Sequence, residues 1–150
     1  MLALRLVRLI EAHADRLSKE LIHRLEHDDR CAELRKVPEE ELIRRSYDIY
    51  RHLSDWVLHK AEHELERTYQ ELGVRRAAQD VALSQVLYAI LATKEHLWKF
   101  LQDEGAVTSP VELYGEMELF RLVDQFFDKA VCYMAAGYEH ARIAGLATAS

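Results

Sequence analysis

The sequence predicts an all-α protein: an antiparallel bundle of about five helices with globin-like crossings and a long C-terminal helix. Three observations predict it. Apolar residues recur at i, i+3 and i+4 along almost the whole chain. No stretch alternates β-branched and polar residues with the period of a strand. Five Gly and two Pro in 150 residues leave little material for turns.

The first helix carries Ala3, Leu6, Val7, Ile10, Ala14, Leu17, Leu21 and Leu25 on one face and ends near "HDDRCAEL". The second starts at Val37-Pro38, because proline suits a first turn and Glu39, Glu40 and Glu41 suit its positive end. Its stripe is Ile43, Tyr47, Tyr50, Leu53 and Val57. A third segment, 65–79, is highly charged and contains Gly73. The fourth opens at Asp80 or Ser84 and carries Leu83, Val86, Leu87, Ile90, Leu91, Leu97, Trp98 and Leu101 inward. The clearest break is "DEGAVTSP" at 103–110.

Ser109-Pro110 starts the last helix, which meets no breaker before Gly137 or Gly145. About 35 residues at 1.5 Å each make roughly 50 Å, so one end should project beyond its partners. Its apolar arc is also wide. Phe120, Val123, Phe127, Val131, Met134 and Tyr138 form one stripe; Leu119, Leu122, Phe126, Tyr133 and Gly137 form a second beside it. One-sided packing requires one stripe. Either the helix is central and touched from several sides, or the second stripe is a homodimer surface at which Gly137 lets two backbones approach.

Composition bounds the function. With 49% hydrophobic and 31% charged residues, the chain reads as one soluble domain over 1–150. A net charge of −6, with basic pairs scattered among acids, argues against nucleic acid. The leucine-rich start is broken by Arg5 and Arg8 and reads as an amphipathic helix, neither signal nor membrane anchor. Cys31 and Cys132 form no CxxC and suit free thiols in a reducing cytoplasm.

Two stretches invite a metal. "HKAEH" at His59–His63 and "HRLEH" at His23–His27 both read H-x-x-E-H, two imidazoles with a glutamate for a metal-bound water. Eight histidines give roughly 0.4 chance H-x-x-x-H pairs, and the acid requirement cuts that below about 0.1. Two occurrences exceed chance. On a continuous helix, however, His59 points opposite the apolar stripe, and His23 and His27 also lie off theirs. A catalytic metal there would lack walls and supporting hydrogen bonds. The histidines read as surface features, and no catalytic, metal or cofactor site is predicted. His13, beside the first stripe, and His140, beside the second stripe of the last helix, are conceivable haem ligands, but core or interface histidines fit better. "KEH" at 94–96 suggests a phosphoacceptor, yet His96 points away from the Leu87/Ile90/Trp98 face.

The most specific stretch is "ELERTYQELGVRRAAQDVALSQVLYAILATKEHLWKFL". Its Tyr69, Leu72-Gly73, Arg76-Ala77, Val81, Leu83-Ser84, Leu91, Leu97-Trp98 and Phe100 resemble the N-terminal domain of the RsbR and RsbRD proteins, the RsbT co-antagonists of bacterial stress signalling. The Pro38-Glu39-Glu40 helix start and Trp56 fit as well, and the likeness covers roughly 15–140. Asp80 stands where that pattern would carry glycine. The resemblance implies a helical input domain, in a wider group related to globins that hold no haem. It also implies a cytoplasmic homodimer ahead of a STAS or histidine-kinase effector. The 150 residues carry no effector pattern, so either they are a piece of a longer chain or the domain works alone; "ARIAGLATAS" at 141–150 reads as the start of a linker and favours the first. The expected function is a non-catalytic sensory or scaffolding module that relays a signal through its C-terminal helix. A helical carrier of haem or a small apolar ligand is the alternative, and a metal-dependent enzyme the third reading.

Overall fold

A computed structural model describes the backbone of residues 4–104 and 110–149 and the side chains of 5–104 and 114–145. The described elements are all helical: α1 (Leu4–Ala12), α2 (Ala14–Glu26), a 3-10 segment (Asp29–Lys36), α3 (Glu39–Arg51), a π turn (Asp55–His59), α4 (Glu62–Ala78), α5 (Leu83–Glu104) and α6 (Pro110–Ala149).

The predicted first helix is two, hinged at His13, whose backbone leaves the helical region at φ −106°, ψ 15°. The stripe runs through the hinge unbroken: Leu6, Val7, Ile10, Ala14, Leu17, Leu21 and Leu25 are all buried. Asp28 ends the pair by accepting from the Arg30 backbone N–H at 2.9 Å, which opens the 3-10 segment. Pro38 precedes α3, and Glu39, Glu40 and Glu41 fill its first turn as predicted.

The turn between α4 and α5 explains how aspartate stands in for glycine. Asp80 adopts φ 57°, the left-handed region. Its N–H donates to Ala77 O and that of Val81 to Arg76 O, a Schellman ending that satisfies two last-turn carbonyls. Aspartate is among the few residues besides glycine that tolerate this conformation, and fully buried Val81 anchors the turn.

Gly73 does not weaken α4. It is required there. A Cβ on Gly73 would lie 2.1 Å from Met134 O, and one on Gly137 would lie 2.2 Å from Gln70 O. Two glycines on facing helices therefore let the α4 and α6 backbones touch. Ion pairs fix the direction of this seam: Glu62 with Lys129 at 3.0 Å, and Asp80 with Arg142 at 3.6 Å. Residue numbers rise together, so α4 and α6 run parallel to each other within the bundle. The long α5 returns the chain between them, antiparallel to α6 through Lys94–Asp124 at 3.5 Å and Trp98–Phe120 rings at 4.8 Å.

α6 is longer than predicted: 40 residues, roughly 60 Å at 1.5 Å per residue. Neither Gly137 nor Gly145 interrupts it, and the segment predicted as a linker continues the helix to Ala149. Past Ala141 its described side chains are exposed, so this end does project.

Candidate functional site: a cavity beside the glycine seam

A cavity of about 380 Å³ lies among α2, α3, α4, α5 and α6. Leu21 and Ile22 of α2, Ile90 of α5 and Phe127 of α6 make its apolar wall. Leu21, Ile90 and Phe127 are stripe positions of their helices and Ile22 lies next to one, so ordinary amphipathic patterning builds most of the wall. Trp56, Tyr69, Phe126 and Phe127 form an aromatic cluster beside it, with successive ring centroids 5.7, 5.9 and 5.0 Å apart. Such edge-on contacts hold rings in fixed orientations. Burial pushes the Tyr69 phenol well above its ordinary pKa.

The opposite wall is cationic. Arg44 and Arg45 of α3 and Arg76 of α4 line it, with exposed Asp48 nearby. Behind them Glu41, 4% exposed, holds two arginines. Arg75 pairs with both Glu41 oxygens, donating from Nη2 to Oε2 at 2.8 Å. Arg76 donates from Nη1 to Glu41 Oε1 at 2.9 Å and to Gln79 Oε1 at 2.7 Å. These contacts, Arg75 foremost, hold the Glu41 carboxyl far below the usual carboxylate range. Burial lowers the pKa of Arg76 and Arg45, from so high a start that both stay charged. Arg45 is left over. Its Nε lies 3.7 Å from Glu41 Oε1, is buried, and has no hydrogen-bond partner.

This cluster escaped sequence reading. Arg44-Arg45 and Arg75-Arg76 looked like scattered surface pairs, and Glu41 like a helix-start acid. A signal was present: Tyr69, Leu72-Gly73 and Arg76 share one face of α4, so an arginine stands in an apolar stripe.

Of the five residues assigned to a dimer face, Leu119, Phe126 and Gly137 are enclosed by their own chain. Leu119 and Phe126 are buried in their own chain, 0% and 3% exposed. Gly137 faces the α4 backbone rather than a second molecule. Tyr133 is half-buried and donates its hydroxyl to Glu62 at 2.5 Å, which pushes its pKa up to about 12. Leu122 is half-buried. The stripe is therefore not open along its whole length: Leu119, Phe126 and Gly137 are covered within the chain. Two stripes are needed because α4 covers one side of α6 and α5 another. Among the described residues, the large exposed hydrophobics on α6 are Tyr114, Met117 and Ile143.

The histidines are dispersed. His59 ends the π turn, Lys60 is extended at φ −67°, ψ 133°, and His63 sits in the first turn of α4. HKAEH thus crosses a helix break, and the i, i+4 geometry that a metal needs is not formed. His23 and His27 sit at the exposed end of α2 with rings 4.6 Å apart. No group of three or more His, Cys, Asp or Glu among the described residues is placed to hold a metal. His13 bonds Leu9 O at 2.9 Å and packs on Phe100; His140 is exposed; neither lines the cavity. His96 does point away from the predicted face, but α2 covers it there, with Glu20 at 3.6 Å. No described helix is long and apolar enough to cross a membrane.

One family model, the RsbT co-antagonist protein rsbRD N-terminal domain, matches residues 4–149. No curated protein and no solved structure matches the chain.

Proposed function

The chain belongs to the family of RsbT co-antagonist rsbRD N-terminal domains, and from that premise we propose that it is a non-catalytic input module that dimerises in the cytoplasm. In this reading it passes a signal through α6 to a downstream effector of STAS or histidine-kinase type. The family is one of stress-signalling regulatory domains. The observation that carries the relay is the glycine seam. α4 and α6 both line the cavity, and backbone contact locks them together. Helices packed at that distance move as one body, since close-packed interfaces have few intermediate arrangements. A change in the cavity then reaches the projecting end of α6.

Self-association uses the solvent side of α6. Tyr114 and Met117 stand out at one end and Ile143 at the other, with Leu122 and Tyr133 bordering that side. A two-fold arrangement would bury the same patch on both copies and bring the two projecting ends together. Analytical ultracentrifugation tests this. Wild type should sediment as a dimer, and the double variant Tyr114→Glu/Met117→Glu as a helical monomer. A wild type that stays monomeric at about 100 μM, a weak affinity by any standard, would refute the dimer.

The cavity favours a small molecule as the signal. His13 and His140 lie outside its lining, so a haem there would find no imidazole.

A further inference from the structure

A second cleft, of about 270 Å³, lies between α2 and α5 and shares no lining residue with the cavity described above. Part of its wall is the ring of His96, whose side chain is 12% exposed. Both ring nitrogens are enclosed, and neither reaches a hydrogen-bond partner in the protein. Glu20 Oε2 of α2 lies 3.6 Å from Nε2, just beyond hydrogen-bond reach. That carboxylate is shared, because Arg16 Nε stands 3.7 Å from Glu20 while Arg16 Nη2 donates to Glu104 of α5 at 3.0 Å. Enclosed nitrogens without partners make the seat costly for a neutral ring and more so for a charged one. α2 is the element packed against the ring. It presents Arg16, Glu20 and Arg24, and α5 itself adds Lys99, Asp103 and Glu104. His13 packs on Phe100 of the lining but is not part of it.

We propose that this cleft is a proton-operated latch: the neutral His96 ring stays seated between α2 and α5, and the protonated ring swings out into the cleft and loosens α2 from α5. Three features separate the two states. In the seat an imidazolium would be enclosed, and Arg24 and Lys99 both oppose its charge. In the cleft Arg16 and Lys99 face three carboxylates, so an added positive charge meets an excess of negative charge and water. The third feature is space: at about 30 Å³ per water, 270 Å³ holds the ring together with its hydration. A ligand shifts an equilibrium toward the state that binds it more tightly, and the proton binds more tightly to a hydrated ring. Burial is the chief cause that lowers the His96 pKa from 6.5, and the swing removes it. The seated state therefore holds at neutral pH, and the swung-out state grows as pH falls through 6.5 toward the lowered value. The latch stands on this geometry; only its relay rests on the input-module reading. Lys94 and Trp98, on either side of His96, contact Asp124 and Phe120 of α6, so this turn of α5 is already tied to α6.

The test is an NMR titration of the whole chain with labelled histidine rings. The His96 ring should titrate at lower pH than the same ring in the urea-unfolded chain. A soluble gadolinium chelate should spare the His96 Cε1–H at about pH 7.5 and broaden it at about pH 5, across the ordinary histidine range, with the helical circular dichroism unchanged. Arg24→Gln removes an opposing cation from an exposed position and should move the titration up toward its unfolded value. The Trp98 indole N–H peak should shift between the two pH values in wild type and stay fixed in His96→Gln. If His96→Gln fails to fold, Glu20→Gln, also at an exposed position, removes the one favourable charge and should lower the titration further. A ring that titrates as it does in urea overturns the proposal. So does a ring that takes up its proton while still shielded from the chelate, because the imidazolium would then pair with Glu20 in its seat. Loss of the helical signal at about pH 5 overturns it too, since the opening would be global rather than local to a histidine. A broadened ring with a fixed wild-type Trp98 peak keeps the latch and removes the relay, so the latch and the input-module reading fail separately.

Discussion

The two sides of α4 are built on opposite plans. Toward α6 the contact is backbone on backbone, made by removing side chains at Gly73 and Gly137. Toward α3 it is long side chains across a gap, with Glu41, Arg75 and Arg76 bridging the space beside the cavity. The first plan tolerates no added atom and no sliding. The second leaves room and depends on charge pairing rather than fit. The lesson is a division of labour within one helix: a rigid, close-packed seam on one side and an adaptable, charge-paired chamber on the other.

The sharpest way to break the chamber side is Glu41→Ala. It strands Arg76, 3% exposed, without its carboxylate. Removing one partner of a buried pair costs about 3–5 kcal/mol, so the urea midpoint should fall steeply. A loss comparable to that of a surface pair would show that the cluster is solvated.

On the seam side, Gly137→Ala should lose about 3 kcal/mol, the upper end of overpacking effects, because its methyl meets main chain that cannot rotate away. Ala136→Ser, one residue along on the exposed side, should be nearly neutral in the same melt. Equal losses at the two positions would mean that the seam is looser than drawn.

Acid should weaken the chamber before the seam. The folded pKa of Glu41 is depressed below its ordinary 4.5. The unfolded chain therefore binds the proton more readily, and the stabilisation, present above about pH 4.5, is lost as pH falls toward the folded value. Urea midpoints between pH 7 and pH 3 should drop more steeply in wild type than in Glu41→Gln. Identical slopes would remove Glu41 from the account.

A smaller acid effect comes from His96, whose pKa is lowered from 6.5 chiefly by burial. Glu20 partly opposes the shift, while Arg24 and Lys99 add to it. Stability from the neutral ring is present above 6.5 and declines as pH falls through that value, because the unfolded ring protonates first. His96→Gln should flatten the midpoint between pH 7 and 5.5. The smallest effect belongs to His59→Ala/His63→Ala. Both residues are exposed, and the double variant should stay within about 0.5 kcal/mol of wild type. A stoichiometric zinc lost in that variant would contradict the break that the structure places inside HKAEH.

Much of the fold was written in local patterns. The α1–α2 stripe and the Pro38 start of α3 each depend on residues within a turn or two of one another, and sequence displays those directly; the break expected at 105–109 lies outside the described residues. The all-α class and the long last helix follow from the same cause, since a helix closes its hydrogen bonds within its own segment. Family membership was legible too, because its pattern is one of core positions along the chain.

What only tertiary structure decided concerns which helix meets which. Gly73 looked like a weakness in α4 and Gly137 like a contact for a second molecule, until α4 and α6 were seen side by side. The wide apolar arc of α6 had two readings, and coverage from both sides within the chain accounts for Leu119 and Phe126. HKAEH kept its spacing in sequence but lost its geometry to the turn at Lys60. Glu41 and Arg76 stand 35 residues apart and become partners only when α3 and α4 pack. Sequence periodicity records which way a side chain faces from its own helix axis. It carries no record of the partner beyond that face, because the partner's position depends on how all the helices together fill space.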